Sequence, residues 1–416
     1  MKLTPSPFAP AAFPDLPTVA GLRAATASRG FYAAAGLERD DVFLIAFDEG
    51  TQCAGVFTRS ATASHDVKWC RTALSQGGGR AGALLVNSGN SNAFTGAHGA
   101  LKNEASLGAL VSTLRIAKDT CFLAATGVIG QPLPDPNYVG EMVPVLADGL
   151  GVPDWEALAR AFMTTDTYPK GAGTRLEIDG QPVGVAGIAK GSGMIAPNMA
   201  TMLAYIVTDA AVSAPILDHI IGDICAASFN AITVDGDTST SDTFMIFATG
   251  AAGHAPIRTL NDDRLPALKA ALYQAAHDLA IAVVKDGEGA TKFITITAEG
   301  ATDCAAAQAV AASVANSPLV KTALAASDAN WGRVVMAIGN AGVPVDQDRL
   351  SIWFGDHQVA VAGGQSPGYD EATASAICAA PEITIRIGLG EGPGAATVYT
   401  CDLTHAYIDI NGAYRT

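Results

Sequence analysis

The chain has 416 residues, 49% of them hydrophobic and only 16% charged, and it carries a net charge of −15. This composition excludes a disordered chain, and an acid excess with no basic run excludes the electrostatic footprint of a nucleic-acid binder. No stretch reaches the roughly 18 consecutive apolar residues of a membrane span, and the proline-broken N-terminus "MKLTPSPFAPAAFPDLPTVAG" lacks the apolar core of a signal peptide. Seven cysteines (Cys53, Cys70, Cys121, Cys225, Cys304, Cys378 and Cys401) are dispersed without a C-x-x-C pair. They argue against a disulfide framework or zinc ribbon and fit a reducing cytoplasm. The histidines show no H-x-x-H spacing, so no metal is expected.

In chain order, "DVFLIAFD" (Asp41 to Asp48), "CAGVFT" and "GALLVNSG" read as strands from their β-branched and aromatic content. "DWEALARAFM" (Asp154 to Met163) reads as an amphipathic helix capped by Asp154. "TMLAYIVTDA", from Thr201, has the length and composition of a buried strand, and "SAPILDHIIGDICAASF", from Ser213, has helical spacing. "RLPALKAALYQAAHDLAIAVVKDGEG" predicts a long buried helix ending at Asp286-Gly287, and "DCAAAQAVAASVANSPLVKTALAAS" a second one. "KFITITAEG", "EITIRIGLG", "AATVYTCDL" and "AYIDING" read as further strands. Strands adjacent in sequence, rather than strictly alternating with helices, predict a layered mixed α/β (α+β) fold.

The sharpest punctuation is "KGSGMIAPNMATML", Lys190 to Leu203, where Gly, Ser and Pro give way to a strand opening on a threonine. A threonine in that position suits an N-terminal nucleophile. Its hydroxyl is weak alone, but a free α-amine on the same residue, with a pKa near ~7.7, can act as its base. That amine exists only once the Ala200-Thr201 bond is broken, which the hydroxyl can do itself through an N-to-O acyl shift.

Further segments occur in a consistent order: "AGVFT" (54 to 58), "NSGNSNAFTG" (87 to 96), "AATGVIGQPLP" (124 to 134), "MTTDTYPK" (163 to 170), "KDGEGATKF" (285 to 293), "DANWGRV" (328 to 334) and the terminal "YIDINGAYRT". With the junction, they make the chain resemble the ornithine acetyltransferase family (ArgJ, glutamate N-acetyltransferase) along nearly its whole length. The resemblance implies a DmpA/ArgJ-like fold and autocatalytic cleavage between Ala200 and Thr201. The products would be an α chain, 1–200, and a β chain, 201–416, which stay together and pair into a heterotetramer of two α and two β chains. It implies that Thr201 is the nucleophile, that Thr126 and Gly127 form the oxyanion hole, and that Thr167, Lys190, Thr201, Glu288, Asn411 and Thr416 bind substrate.

The implied reaction belongs to the cyclic route of arginine biosynthesis in the cytoplasm. Acetyl passes from N2-acetyl-L-ornithine to Thr201 and then to L-glutamate. No cofactor is required, with acetyl-CoA as an optional co-substrate, and neither nucleic acid nor membrane is a partner. The alternative from a related fold is an N-terminal-nucleophile aminopeptidase or amidase, which would release the acyl group to water. Two positions depart from the family pattern: Ala196, where many relatives carry His, and Phe94, where Cys is frequent. A reading of Asp235-x-Asp237-x-Ser239 as an aspartyl-phosphate motif fails, because Ser239 stands where that pattern needs Thr or Val.

Overall fold

The structure, a computed structural model, describes residues 4–196 and 202–413. Its first half runs β1 (Leu22–Ala27), β2 (Val42–Phe47), β3 (Gln52–Phe57), α1 (His65–Gly77), β4 (Ala83–Asn87), α2 (Gly96–Leu114), β5 (Cys121–Ala125), α3 (Met142–Asp148), α4 (Trp155–Ala161), β6 (Lys170–Ile178) and β7 (Gln181–Lys190). Next come β8 (Leu203–Thr208), α5 (Ala214–Ala227), β9 (Thr243–Ala248), α6 (Leu265–Lys285), β10 (Phe293–Ala301), α7 (Cys304–Ala315), α8 (Pro318–Ala325) and α9 (Trp331–Gly339). The chain closes with β11 (Ser351–Phe354), β12 (His357–Val361), β13 (Gly364–Gln365), α10 (Glu371–Cys378), β14 (Glu382–Gly388), β15 (Gly394–Cys401) and α11 (His405–Ala413).

The strands form three sheets, ordered β1-β2-β4-β5, β3-β9-β8-β7-β6 and β13-β12-β11-β14-β10-β15. The first two stack, because successive residues of a strand face opposite sides. On β2, Val42 and Leu44 pack on Leu107 and Leu110 of α2, whereas Phe43 and Ile45 face the second sheet and meet Tyr205 and Phe247. On β8, Tyr205 and Val207 return that contact, whereas Ala204 and Ile206 join Leu217 of α5 and Leu272 of α6 in the next layer. The result is four layers, helix–sheet–sheet–helix. Strands covered on both faces lose the apolar/polar alternation, which is why β2, β4, β5, β8 and β9 are buried at every residue. The third sheet builds its own core against α7, α9 and α10.

The layered α/β class read from the sequence is the one observed, and Asp154 caps α4 by accepting from the Ala157 N–H at 3.0 Å. Two elements differ from expectation. The helix read through residues 303–327 is broken into α7 and α8. Pro318 has no N–H to continue a helix and disfavours helical geometry at Ser317, which instead caps α8. "AYIDING" is not a strand but most of α11. Its isoleucines gave the strand signal, yet Ile408 is 65% exposed; the helix is held by what it lays on the neighbouring site. Among the described residues, no helix is long and apolar enough to cross a membrane.

Candidate active site

β7 and β8 pair antiparallel with Lys190 opposite Leu203, and β8 runs parallel to β9 with Leu203 opposite Thr243. One end of the second sheet therefore gathers the end of β7 and the starts of β8 and β9. Thr126 and Gly127, which follow β5 of the first sheet, arrive at the same place. Between them lies a cavity of about 220 Å³, smaller than the roughly 300–1,000 Å³ of pockets for drug-sized ligands and suited to a small metabolite. Thr126, Gly127, Lys190, Glu288 and Asn411 all line it, as do Met202 and Leu203. Ala200, Thr201 and Thr416 lie outside the described residues; Met202, in the cavity wall, is the covalent neighbour of Thr201.

The backbone at Thr126-Gly127 is fixed by the strand that delivers it. The Thr126 N–H donates to the Asn87 carbonyl at 3.0 Å, extending the β4–β5 pairing by one step. Gly127 then takes φ of 128°, and a Cβ there would stand 2.5 Å from the Gly89 carbonyl carbon, so only glycine fits. The Gly127 N–H has no acceptor among the described residues. Lys190 Nζ donates to Thr126 Oγ1 at 3.1 Å, which leaves the threonine hydrogen available for another acceptor. The pair thus presents a backbone N–H and a hydroxyl to the cavity, with an ammonium behind the hydroxyl.

Burial pulls the pKa of Lys190 below that of an ordinary lysine, and the nearby Asp166 carboxylate partly restores it. Asp166 is itself buried, but the Lys170 and Lys190 ammonium groups outweigh burial and hold its carboxyl below the usual range. Lys170 Nζ lies 2.6 Å from both Asp166 Oδ1 and Asp286 Oδ2, with the lysine only 1% exposed. Asp166 also accepts from the Thr164 N–H at 3.0 Å and from the Gly191 N–H at 2.7 Å. Removing Lys170 would leave Asp286 buried without its cation and Asp166 with Lys190 alone. Lys170→Met is therefore expected to lower the unfolding free energy by about 3–5 kcal/mol, read by urea titration.

Glu288, 7% exposed, faces Lys190 across the cavity. Burial raises its pKa, against hydrogen bonds from Thr165 and Asn411. Asn411 Nδ2 donates to Glu288 Oε2 at 2.6 Å. Tyr407 and Asn411, one helical turn apart, share the face of α11 that lines the cavity. α11 is seated by Thr404, whose hydroxyl donates to the Gly289 carbonyl at 2.7 Å, and by Gly289, where a Cβ would meet the Ala406–Tyr407 backbone. Gly193 has the same function for the carboxylate: a Cβ there would occupy the space of the Glu288 side-chain oxygens.

Thr167, expected in the site, lies elsewhere. Its N–H donates to Asp286 Oδ2 at 2.9 Å and its hydroxyl to Asp286 Oδ1, in the network beneath the cavity. Thr164 and Thr165 of the same "MTTDTYPK" segment line the cavity instead. Of the two departures from the family pattern, Ala196 is buried, whereas Phe94 is 79% exposed at a left-handed φ of 54°.

The family model of the ArgJ family matches residues 26–416. The chain belongs to the ArgJ family. It is 47% identical over 422 residues to the arginine biosynthesis bifunctional protein ArgJ of Agrobacterium fabrum, covering 100% of both chains. It is 49% identical over 414 residues to the protein of the same name from Rhizobium meliloti, covering 99% of each. The crystal structure of the ArgJ protein of Bacillus halodurans is similar to 50% of this chain and 98% of its own, at 36% identity and a TM-score of 0.49.

Against the family segments quoted above, this ArgJ-family cavity contains residues that sequence reasoning passed over. Besides Thr164 and Thr165, they include Ser91, Asp235, Asp242 and Tyr407. Ser91 and the threonines sit inside segments that carried the family resemblance, so the segments were visible but not which hydroxyl faced inward. Tyr407 was hidden by the strand reading of its helix. Asp235 drew attention only through an unrelated motif. Its carboxylate accepts from the Met194 N–H at 2.6 Å and the Ile195 N–H at 2.9 Å, just upstream of the junction.

Proposed function

We propose that this chain transfers acetyl from N2-acetyl-L-ornithine to L-glutamate through an acetyl ester on Thr201. The observation that carries the reading is the Thr126 hydroxyl beside Lys190 and the Gly127 N–H, which has no acceptor among the described residues, at the end of the sheet where β8 begins. Such donors stabilise the oxyanion of acyl transfer. The arginine-biosynthesis names of the full-length relatives supply the pathway.

The chain first processes itself. The Thr201 hydroxyl attacks the Ala200 carbonyl, the peptide C–N bond breaks as an ester forms, and water hydrolyses the ester. Chains 1–200 and 201–416 result, with a new α-amine on Thr201. In catalysis that amine takes the hydroxyl proton as Oγ attacks the acetyl carbonyl, then returns it to the departing ornithine nitrogen. The glutamate amine attacks the ester in turn and Thr201 is regenerated. The cut chains stay associated as a heterotetramer of two α and two β chains in the cytoplasm. Acetyl-CoA serves as a second acetyl donor to the same threonine, and no other cofactor takes part.

The lining suits such substrates, with four carboxylates (Asp235, Asp237, Asp242 and Glu288) to one lysine among its described residues. One Lys190 N–H is engaged with Thr126, leaving others for a substrate carboxylate, while Glu288 receives a substrate ammonium. Asn411 orients Glu288, and Thr416 adds a neutral hydrogen bond to the substrate. Thr167 acts from behind, by holding Asp286.

Only ionised Glu288 attracts an ammonium, and burial has raised its pKa. We expect kcat/KM for acetylornithine to fall with decreasing pH, starting above the pH of about 4.3 at which an exposed glutamate titrates. Glu288→Gln should flatten that limb and raise KM at neutral pH. The transfer itself is tested by initial rates with both substrates varied. Parallel double-reciprocal lines support the two-step route. Acetate release at a rate indifferent to glutamate would favour the amidase alternative and overturn the transferase.

A further inference from the structure

The segment entering the junction is pinned at Gly191, Ser192, Met194 and Ile195. The Gly191 N–H donates to Asp166, and the Ser192 carbonyl accepts from the Glu288 N–H at 3.0 Å. Met194 takes a left-handed φ of 57°, unusual for a side chain of its size. Its N–H and that of Ile195 both end on the Asp235 carboxylate, at 2.6 and 2.9 Å. The Ile195 carbonyl in turn accepts from the Val234 N–H at 2.8 Å and the Thr233 hydroxyl at 2.9 Å. The Tyr407 hydroxyl of α11 also donates to Asp235, at 3.3 Å. Met194 and Ile195 precede the Ala200-Thr201 bond in sequence and residues 233–235 follow it, so this clamp ties together the two sides of the bond to be cut.

We propose that Asp235 is a positioning residue for self-processing. Its carboxylate fixes the backbone of Met194 and Ile195, which precede the Ala200-Thr201 bond, and self-processing depends on that clamp. The proposal rests on the self-cleavage described above and assigns Asp235 no contact with the reacting atoms. A carboxylate can accept from two adjacent N–H groups at once. An asparagine in its place must turn an NH2 group toward one of them and loses that bond. A glutamate keeps the charge but moves the acceptors by one methylene, so it distinguishes position from charge.

The test is a pulse of labelled methionine and a chase in cells making the full chain as wild type, Asp235→Asn or Asp235→Glu, with cut and uncut chains separated under denaturing conditions. Both variants should lengthen the half-life of the uncut chain at least tenfold. A half-life within twofold of wild type in either variant overturns the proposal. A wild-type chain that never cuts overturns the processing reading instead, so the two failures are distinguishable. Amide exchange supplies a measurement that needs no variant. The Met194 and Ile195 amides should exchange at least a hundredfold more slowly than in an unstructured peptide, and exchange at the unstructured rate overturns the clamp.

Discussion

Thr201→Ala should leave the chain uncut and should reduce acetyl transfer by roughly 10^4-fold or more, the scale on which removal of a covalent nucleophile is felt. The two losses have one cause. Alanine has no hydroxyl to attack the Ala200 carbonyl, so the α-amine is never freed, and it has none to accept acetyl. Intact mass under denaturing conditions reads the first effect: wild type gives two chains, the second beginning at Thr201, and the variant gives one. Thr201→Ser separates the two roles. It retains the oxygen and should still cut and transfer, more slowly. A Thr201→Ala protein that is both cut and active would remove the nucleophile from the account.

Thr126→Val should lower kcat by about 10^2–10^3, the cost of one oxyanion donor, with the fold intact. Valine keeps the branched shape, and the backbone N–H of residue 126 still reaches the Asn87 carbonyl. What disappears is a donor that Lys190 polarises from behind. Lys190→Met should therefore also lower kcat, and the double variant should lose less than the product of the two single losses, since both act through one hydroxyl. Lys190→Met should raise KM for acetylornithine as well, as it removes the partner of the substrate carboxylate; Thr126→Val should leave KM nearly unchanged. A Thr126→Val enzyme with wild-type kcat would assign the oxyanion to other groups.

Much of the frame was legible in the sequence, because strands such as β2 and β8 are long enough and apolar enough to have one reading. The element that failed, α11, is short and stabilised by docking rather than by its own pattern. That docking depends on Gly289, whose missing side chain admits the helix. The break at Pro318 was in plain view, and an alanine-rich run concealed it.

The site was legible as motifs but not as directions. Thr126-Gly127, Lys190, Glu288 and Asn411 come together in one cavity from four separate stretches of chain. Three threonines within five residues of "MTTDTYPK" could not be told apart by type. The fold turns Thr164 and Thr165 toward the cavity and Thr167 toward Asp286. Asp235 escaped because its partners are backbone N–H groups, which carry no residue identity for a sequence to show.

The most direct test of the account is to mix the processed enzyme with N2-acetyl-L-ornithine in the absence of glutamate, quench in acid and weigh the chains. The chain beginning at Thr201 should be one acetyl group heavier, with the addition mapped to Thr201, and the added mass should vanish when glutamate precedes the quench. A chain that stays unmodified while acetyl reaches glutamate, or an acetyl group found on another residue, would contradict transfer through Thr201.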